Sequence, residues 1–385
     1  MDGALPGLPP PTHNPLKMKR RSALKILGKS SFVPLLGGFP AIRIGAKNVD
    51  LTEVRERVND HFRSLLIEGA PYGAYATGTA DPTDVYAPTD IAIARHIMGE
   101  VLTDTLSDTQ RRQWIDYINS YQNPEDGSYR ERYRHSKLHA NGMVIGALGV
   151  LGGRQQYPVK LYDAFDTIPE VGPWLEQIDW AKQWGASHLF WGGIHCYSLS
   201  SRCDPEWLAY VFRWLDDNLD EQTGWWRKGT VYTDRHQPLG GSVHIIPIYQ
   251  HHGRRFPEPE RVIDSVLALQ LPSGRWLDRE KDRKQIMHYL ELDALYALSY
   301  AGSLAPGYRE DDIMKSVNRY ADLVHGYWNG PASEWQQLHP HRTLSMVGTF
   351  GLLQKMLPER FVDAVEWTDI FSDIRLYDTA AVEAV

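Results

Sequence analysis

Residues 267–300 read LALQLPSGRWLDREKDRKQIMHYLELDALYALSY, and the order of residue types in that stretch decides the fold. It opens on the tail of an amphipathic helix, turns at Pro272-Ser273-Gly274 and passes an aromatic residue, Trp276. A charged segment follows, and then a second helix whose front end carries Arg283, His288 and Tyr289. The same order of glycine turn, aromatic residue, polar loop and apolar helix recurs at Gly127/Tyr129 and at Gly224/Trp226.

Working outward, residues 51–68 place Leu51, Val54, Val58, Phe62, Leu65 and Leu66 at helical spacing, the pattern of a half-buried helix. A more apolar helix is expected over 89–102. Residues 111–121 are amphipathic and 138–151 (LHANGMVIGALGVL) are small and apolar all round, as in a helix buried on every side. Further pairs follow at 173–185 with 188–201, 206–219 with 240–249, the quoted unit itself, and 311–326 with 342–356. No convincing run of alternating strands is present. Half-buried helices alternating with fully buried ones are what two concentric rings require, since inner helices touch neighbours everywhere and outer ones face water on one side. The expectation is an all-α chain, an α/α toroid of about five to seven helical hairpins, with a right-handed superhelical stack as the alternative. It places a leader over 1–48 and a single catalytic domain over 49–385.

The 385 residues carry 42% hydrophobic and 23% charged side chains, close to a soluble average. A net charge of −7 offers no basic footprint for nucleic acid. The outliers are 13 Trp and 20 Tyr, which either fill a large helical core or line a groove with flat faces suited to sugar rings. Lys19-Arg20-Arg21-Ser22 precedes a weakly hydrophobic, glycine-containing run through Phe32, Leu36 and Ile42. Paired arginines before such a run resemble a twin-arginine export signal and point to a bacterial periplasm or cell surface. The run is too short and broken for a membrane span. Cys196 and Cys203 form either a short disulfide loop or two free thiols, and cannot build a metal site alone.

Polar side chains recur at the starts of the apolar helices: His139 and Asn141, His188 and His195, His244, Arg283 with His288 and Tyr289, and His341 with Arg342. In a double ring these ends converge at one mouth. Converging imidazoles, an amide, a guanidinium and a phenol bind an anion and move protons. Metal-assisted hydrolysis needs His with carboxylates, whereas Glu291 and Asp293 lie past the first turn of their helix and there is no HExxH, so neither metal nor cofactor is expected. Glycoside hydrolysis needs a carboxylate pair, for which Asp126, Asp278 and Asp282 in the turns are candidates. β-Elimination on a uronic acid needs the C5 proton removed and the adjacent carboxylate neutralised, work that suits Tyr, His, Asn and Arg.

Asn and His at inner-helix starts, with Arg283 six residues before a Tyr289 adjacent to His288, resemble the polysaccharide lyases built on an α/α toroid. Alginate and glucuronan lyases are examples, and the size is similar to compact members such as polysaccharide lyase family 38. The resemblance covers roughly residues 120–300, and His139-Ala140-Asn141 stands where some alginate lyases have an Asn-His pair. It implies Asn141 and Arg283 as carboxylate neutralisers, His195 or His244 as neutraliser or base, and Tyr289 as general acid and base. His139, His288, Trp191, Trp226, Trp276, Tyr129 and Arg342 would then bind an acidic polysaccharide or oligosaccharide. The rival resemblance is to terpenoid cyclase and prenyltransferase toroids, for which Asp216-Asp217-Asn218-Leu219-Asp220 fits a DDxxD motif. A periplasmic sugar-binding toroid without catalysis is the non-enzymatic alternative.

Overall fold

Helices dominate the computed structural model, which describes residues 48–78, 83–277, 285–330 and 334–384. The fold is all-α in class, with 59% of it helical. Residues 1–47 of the expected leader, together with Asp278, Asp282 and Arg283, lie outside the described residues. Among the described residues the sheet content is one parallel pair, β1 (Val49–Asp50) with β2 (Phe361–Val362). The described residues fall in the compact unit Ala46–Val385.

Helix α1 (Leu51–Ser64) starts where the Asp50 carboxylate accepts from Thr52 N and Glu53 N, and it buries Leu51, Val54, Val58 and Phe62. That spacing turns one apolar stripe inward. Helix α2 (Tyr86–Ile97) is buried almost throughout and starts three residues before the expected position. Pro88 sits in its first turn, where a missing N–H has no intrahelical partner to lose. After α3 (Leu102–Thr105), α4 (Asp108–Asn119) is fixed by a capping box between Ser107 and Gln110. The small apolar residues make α5 (Lys137–Leu151) buried on nearly every face.

Two expected helices divide differently. Residues 173–201 form α6 (Ile168–Glu176), α7 (Gln183–Leu189), a π-helical turn (Phe190–His195) and α8 (Cys196–Ser198). Residues 240–249 are split between α10 (Gln237–Ser242) and α11 (Ile246–His251), which follow α9 (Pro205–Asn218). Pro247 cannot donate to the carbonyl four residues back, so the helix breaks at Val243–Ile245 and leaves His244 at the joint. The order is completed by α12 (Pro259–Leu269), α13 (Tyr289–Leu304), α14 (Glu310–Trp328), α15 (Pro340–Met356) and α16 (Thr379–Val382).

The three glycine turns share one construction. Gly274 takes φ 93°, in the left-handed region open to glycine, and Gly127 and Gly224 do likewise. The aromatic residue two places on then folds back beneath the preceding helix. Trp226 Nε1 donates to Leu215 O at 2.8 Å and Trp276 Nε1 to Val266 O at 2.9 Å. These carbonyls belong to the last turns of α9 and α12, which lack intrahelical donors. Tyr129 OH donates to Asn119 Oδ1 at 3.1 Å, at the end of α4. Gln122 and Gln270 close two of the turns by donating to the carbonyls of Gly127 and Gly274.

Apolar helices pack against one another. Helix α2 meets α5 and α15, α15 meets α13, α13 meets α10, α10 meets α7, and the π turn after α7 meets α5. The amphipathic α12 covers α13, and α14 lies against α12, α13 and α15. Gly192 in the π turn permits the closest of these approaches, since a Cβ there would stand 1.9 Å from Leu138 O. No helix among the described residues is long and apolar enough to cross a membrane. Cys196 and Cys203 are free thiols.

Candidate functional site

The ends of the buried helices carry the polar residues. Ser136 caps α5, accepting from His139 N at 3.1 Å, and this presents His139 one turn above His135. His188 lies at the end of α7, His244 at the joint between α10 and α11, and His341 in the first turn of α15. Two other histidines are caps: His288 accepts from Leu290 N and His339 from His341 N. Tyr86 and Asp90, one turn apart on α2, complete the group from the side the sequence reading missed.

These side chains enclose a basin of about 450 Å³ lined by Tyr133, His135, His139, Trp184, His188, His244, His288, Tyr289, Asp293, His341 and Arg342, with Lys182 among its lining residues. Below it lies a chamber of about 60 Å³, which shares His139, His244, Tyr289, Asp293 and His341 with the basin. Trp191, Met143, Phe371 and Tyr377 supply the chamber's apolar lining. Larger hollows, of about 790 and 640 Å³, lie along the C-terminal segment and beside α1, away from the imidazoles.

The rings are in mutual contact. His135 and His139 centroids are 4.4 Å apart, His139 and His188 4.4 Å, and His135 and His188 4.7 Å. His244 stands 5.0 Å from His188, and His341 5.1 Å from His135. One ring nitrogen from each of His135, His139 and His188 lies within 4.8 Å of the others, so this trio can hold a metal ion.

Hydrogen bonds fix the orientation of several rings. Ser187 Oγ donates to Trp184 O at 3.0 Å and lies 2.8 Å from His244 Nδ1. A hydroxyl has one proton, so it accepts from Nδ1–H, and the lone pair of His244 is on Nε2. His139 Nδ1 lies 2.7 Å from Tyr86 OH, and His341 Nδ1 lies 3.1 Å from Asp90 Oδ2. Tyr289 OH donates to His341 O at 2.6 Å. Arg342 Nε donates to Tyr133 OH at 3.3 Å, which sets a guanidinium beside a phenol.

Burial governs the proton affinities. It pushes His135, His244 and His341 down to about 3, with the neighbouring His341 adding to the effect at His135, and holds His139 and His188 well below the ordinary range. It pushes the Asp90 and Asp293 carboxyls well up. Tyr289 is also pushed well up, by burial and then by Asp90, the opposite of the lowering expected from nearby cations. As the site stands, Tyr289 is a proton donor and the imidazoles are neutral.

Of the residues singled out in the sequence, Tyr289, His244, His139, His288, Arg342 and Trp191 lie on the basin or its chamber. The others are elsewhere. Asn141 is wholly buried, donating to Tyr162 OH at 2.7 Å and accepting from Gln155 Nε2 at 2.8 Å. His195 is buried deeper in the core, 3.0 Å from His251 Nδ1 and stacked on Tyr377. Trp226, Trp276 and Tyr129 are buried beneath their own helices, so they do not line a groove. Asp216 of the DDxxD stretch takes Tyr249 OH and Arg254 and is not among the residues lining the basin. His135, Tyr133, Tyr86 and Asp90 were missed. A histidine four residues before His139, one helical turn away, was the available signal for His135. No protein-family model, curated protein or solved structure matches this chain.

Proposed function

We propose that the basin is the active site of a polysaccharide lyase that cleaves a uronic-acid-containing polymer, such as alginate or glucuronan, by β-elimination. The observation that carries the reading is the convergence of a His244 Nε2 lone pair, the Tyr289 phenol and the Arg342 guanidinium on one basin large enough for a sugar ring. Arg342 and neighbouring imidazole N–H groups neutralise the substrate carboxylate, where charge develops in the transition state. His244 Nε2 takes the C5 proton, and the C5–H electron pair forms the C4=C5 double bond. The C4–O bond breaks, and the Tyr289 phenol returns a proton to the leaving glycosidic oxygen. Relative to the sequence reading, the base is His244 rather than His195, and Arg342 takes the place given to Asn141.

The same reading makes the fold an α/α toroid. It is supported by the contacts among the buried helices, which run from α2 through α5, α7, α10, α13 and α15 and return to α2. Export rests on Arg20-Arg21. Incubation with alginate, glucuronan, pectate and glycosaminoglycans should raise ultraviolet absorbance as the unsaturated product forms. His244→Ala and Tyr289→Phe should each lower kcat by at least ~100-fold with binding retained. New reducing ends without absorbance would replace this reading with hydrolysis, which the Asp293 carboxyl on the basin wall favours as the second reading.

A further inference from the structure

We propose that His135, His139 and His188 form a binding site for a divalent transition-metal ion, zinc foremost, with its remaining coordination position opening on the basin. Three observations converge. The ligand atoms of the three imidazoles lie within 4.8 Å of one another, the separation that three donors around one ion require. They come from two chain segments, the entry to α5 and the end of α7, and are held in register by the close approach of the π turn to Leu138 at Gly192. His135 Nδ1 is buried with no hydrogen-bond partner among the described residues, which is a cost for a polar atom until a ligand satisfies it.

The surroundings supply what metal-bound histidine needs. A ligating imidazole gives its second nitrogen to an outer oxygen that fixes its tautomer. For His139 that oxygen is the Tyr86 hydroxyl, 2.7 Å from Nδ1, which leaves Nε2 for the ion. The donor set is all nitrogen, so it suits zinc, cobalt, nickel or copper and not calcium or magnesium, which want carboxylate and carbonyl oxygen. Three histidines with an open fourth position make a Lewis-acid site rather than a closed structural one. Trp191 on one side and the ring of His341 on another shield the trio, while the basin gives solvent and substrate access. The sequence alone called for no metal because it looked for carboxylates beside the histidines. Ion binding stands apart from the lyase reading, since it is measured without any substrate.

The test uses the whole chain stripped with chelator and dialysed. Zinc titrated calorimetrically should bind at one ion per chain, and cobalt should give the visible absorption of a tetrahedral site. His139→Ala and His188→Ala should each abolish stoichiometric binding. Tyr86→Phe should weaken it by about 10–100-fold while keeping the stoichiometry. His195→Ala, at a buried histidine outside the basin, should bind as the wild type does. Circular dichroism establishes that each variant is folded, and His135→Gln gives a second, milder ligand variant if an alanine variant does not fold. No one-to-one binding of zinc or cobalt to the folded wild type would overturn the proposal. So would binding that persists unchanged in folded His188→Ala and His135→Gln.

Discussion

Arg275 sits between the Gly274 turn and the helix that presents Tyr289, and its removal offers a quantitative test of what holds that helix start. Its Nε donates to Glu291 Oε1 at 3.0 Å, and its other nitrogens reach Gln285 O. The two side chains are 9% and 0% exposed, so the ion pair is desolvated. With Arg275→Met, the Glu291 carboxylate keeps Leu277 N at 3.2 Å but loses its counter-charge. An unpaired buried charge costs about 3–5 kcal/mol, and Glu291→Leu should cost a similar amount by stranding the guanidinium. The double variant removes both charges, so it should be far less destabilised than the sum, with a coupling of at least ~2 kcal/mol.

pH adds a second signature. Burial, opposed by Arg275, raises the Glu291 carboxyl from 4.5 to about 7. A raised carboxyl supports the fold fully below its unfolded value and loses that support as pH rises through about 7. Wild-type stability should therefore fall between pH 5 and 8, by up to roughly 3 kcal/mol. The Arg275→Met variant should fall more steeply and regain stability at pH 5, where the carboxyl is protonated. Urea unfolding followed by tryptophan fluorescence, at pH 5, 7 and 8, gives all the values. Single variants whose losses add to within ~0.5 kcal/mol in the double would refute the pairing.

Two further outcomes follow from the packing. Gly192→Ala should cost about 3 kcal/mol or prevent folding, because its Cβ would meet a backbone carbonyl and not a movable side chain; a melting temperature within a degree or two of wild type would contradict the contact. The buried group His195, His251 and His252 should make the fold acid-sensitive, since burial lowers His251 and His252 from 6.5 to about 4. A lowered imidazole supports the fold above 6.5 and loses that support as pH falls towards 4. The double variant His251→Gln/His252→Gln should show a shallower fall in melting temperature across that window, and an unchanged slope would rule the group out.

The glycine turns and the histidines at helix starts were legible in the sequence because both repeat with the backbone. Which of those residues reach the basin was not, because that depends on helical phase and depth. Asn141 lies two residues beyond His139, a rotation of about 200°, so it faces Tyr162 and Gln155 when His139 faces the basin. His195 follows His188 by seven residues, nominally on one face, but it lies roughly 10 Å further along the axis and beyond a π turn. Tyr86 and Asp90 were hidden by Pro88, which reads as a boundary yet sits comfortably in a first turn. The aromatic residues after the glycines were legible as a repeat and not as anchors, since their partners are backbone carbonyls that no side-chain pattern reports.

Those anchors separate scaffold from specificity. Each indole or phenol is tied to the end of its own preceding helix, so the mooring is complete before the following segment begins. The charged run after Trp276 can therefore change length, sign or composition without loosening the helices on either side. A lineage built on this plan can exchange its rim segments as independent cassettes, acquiring new polymers to act on while the imidazole floor stays where it is.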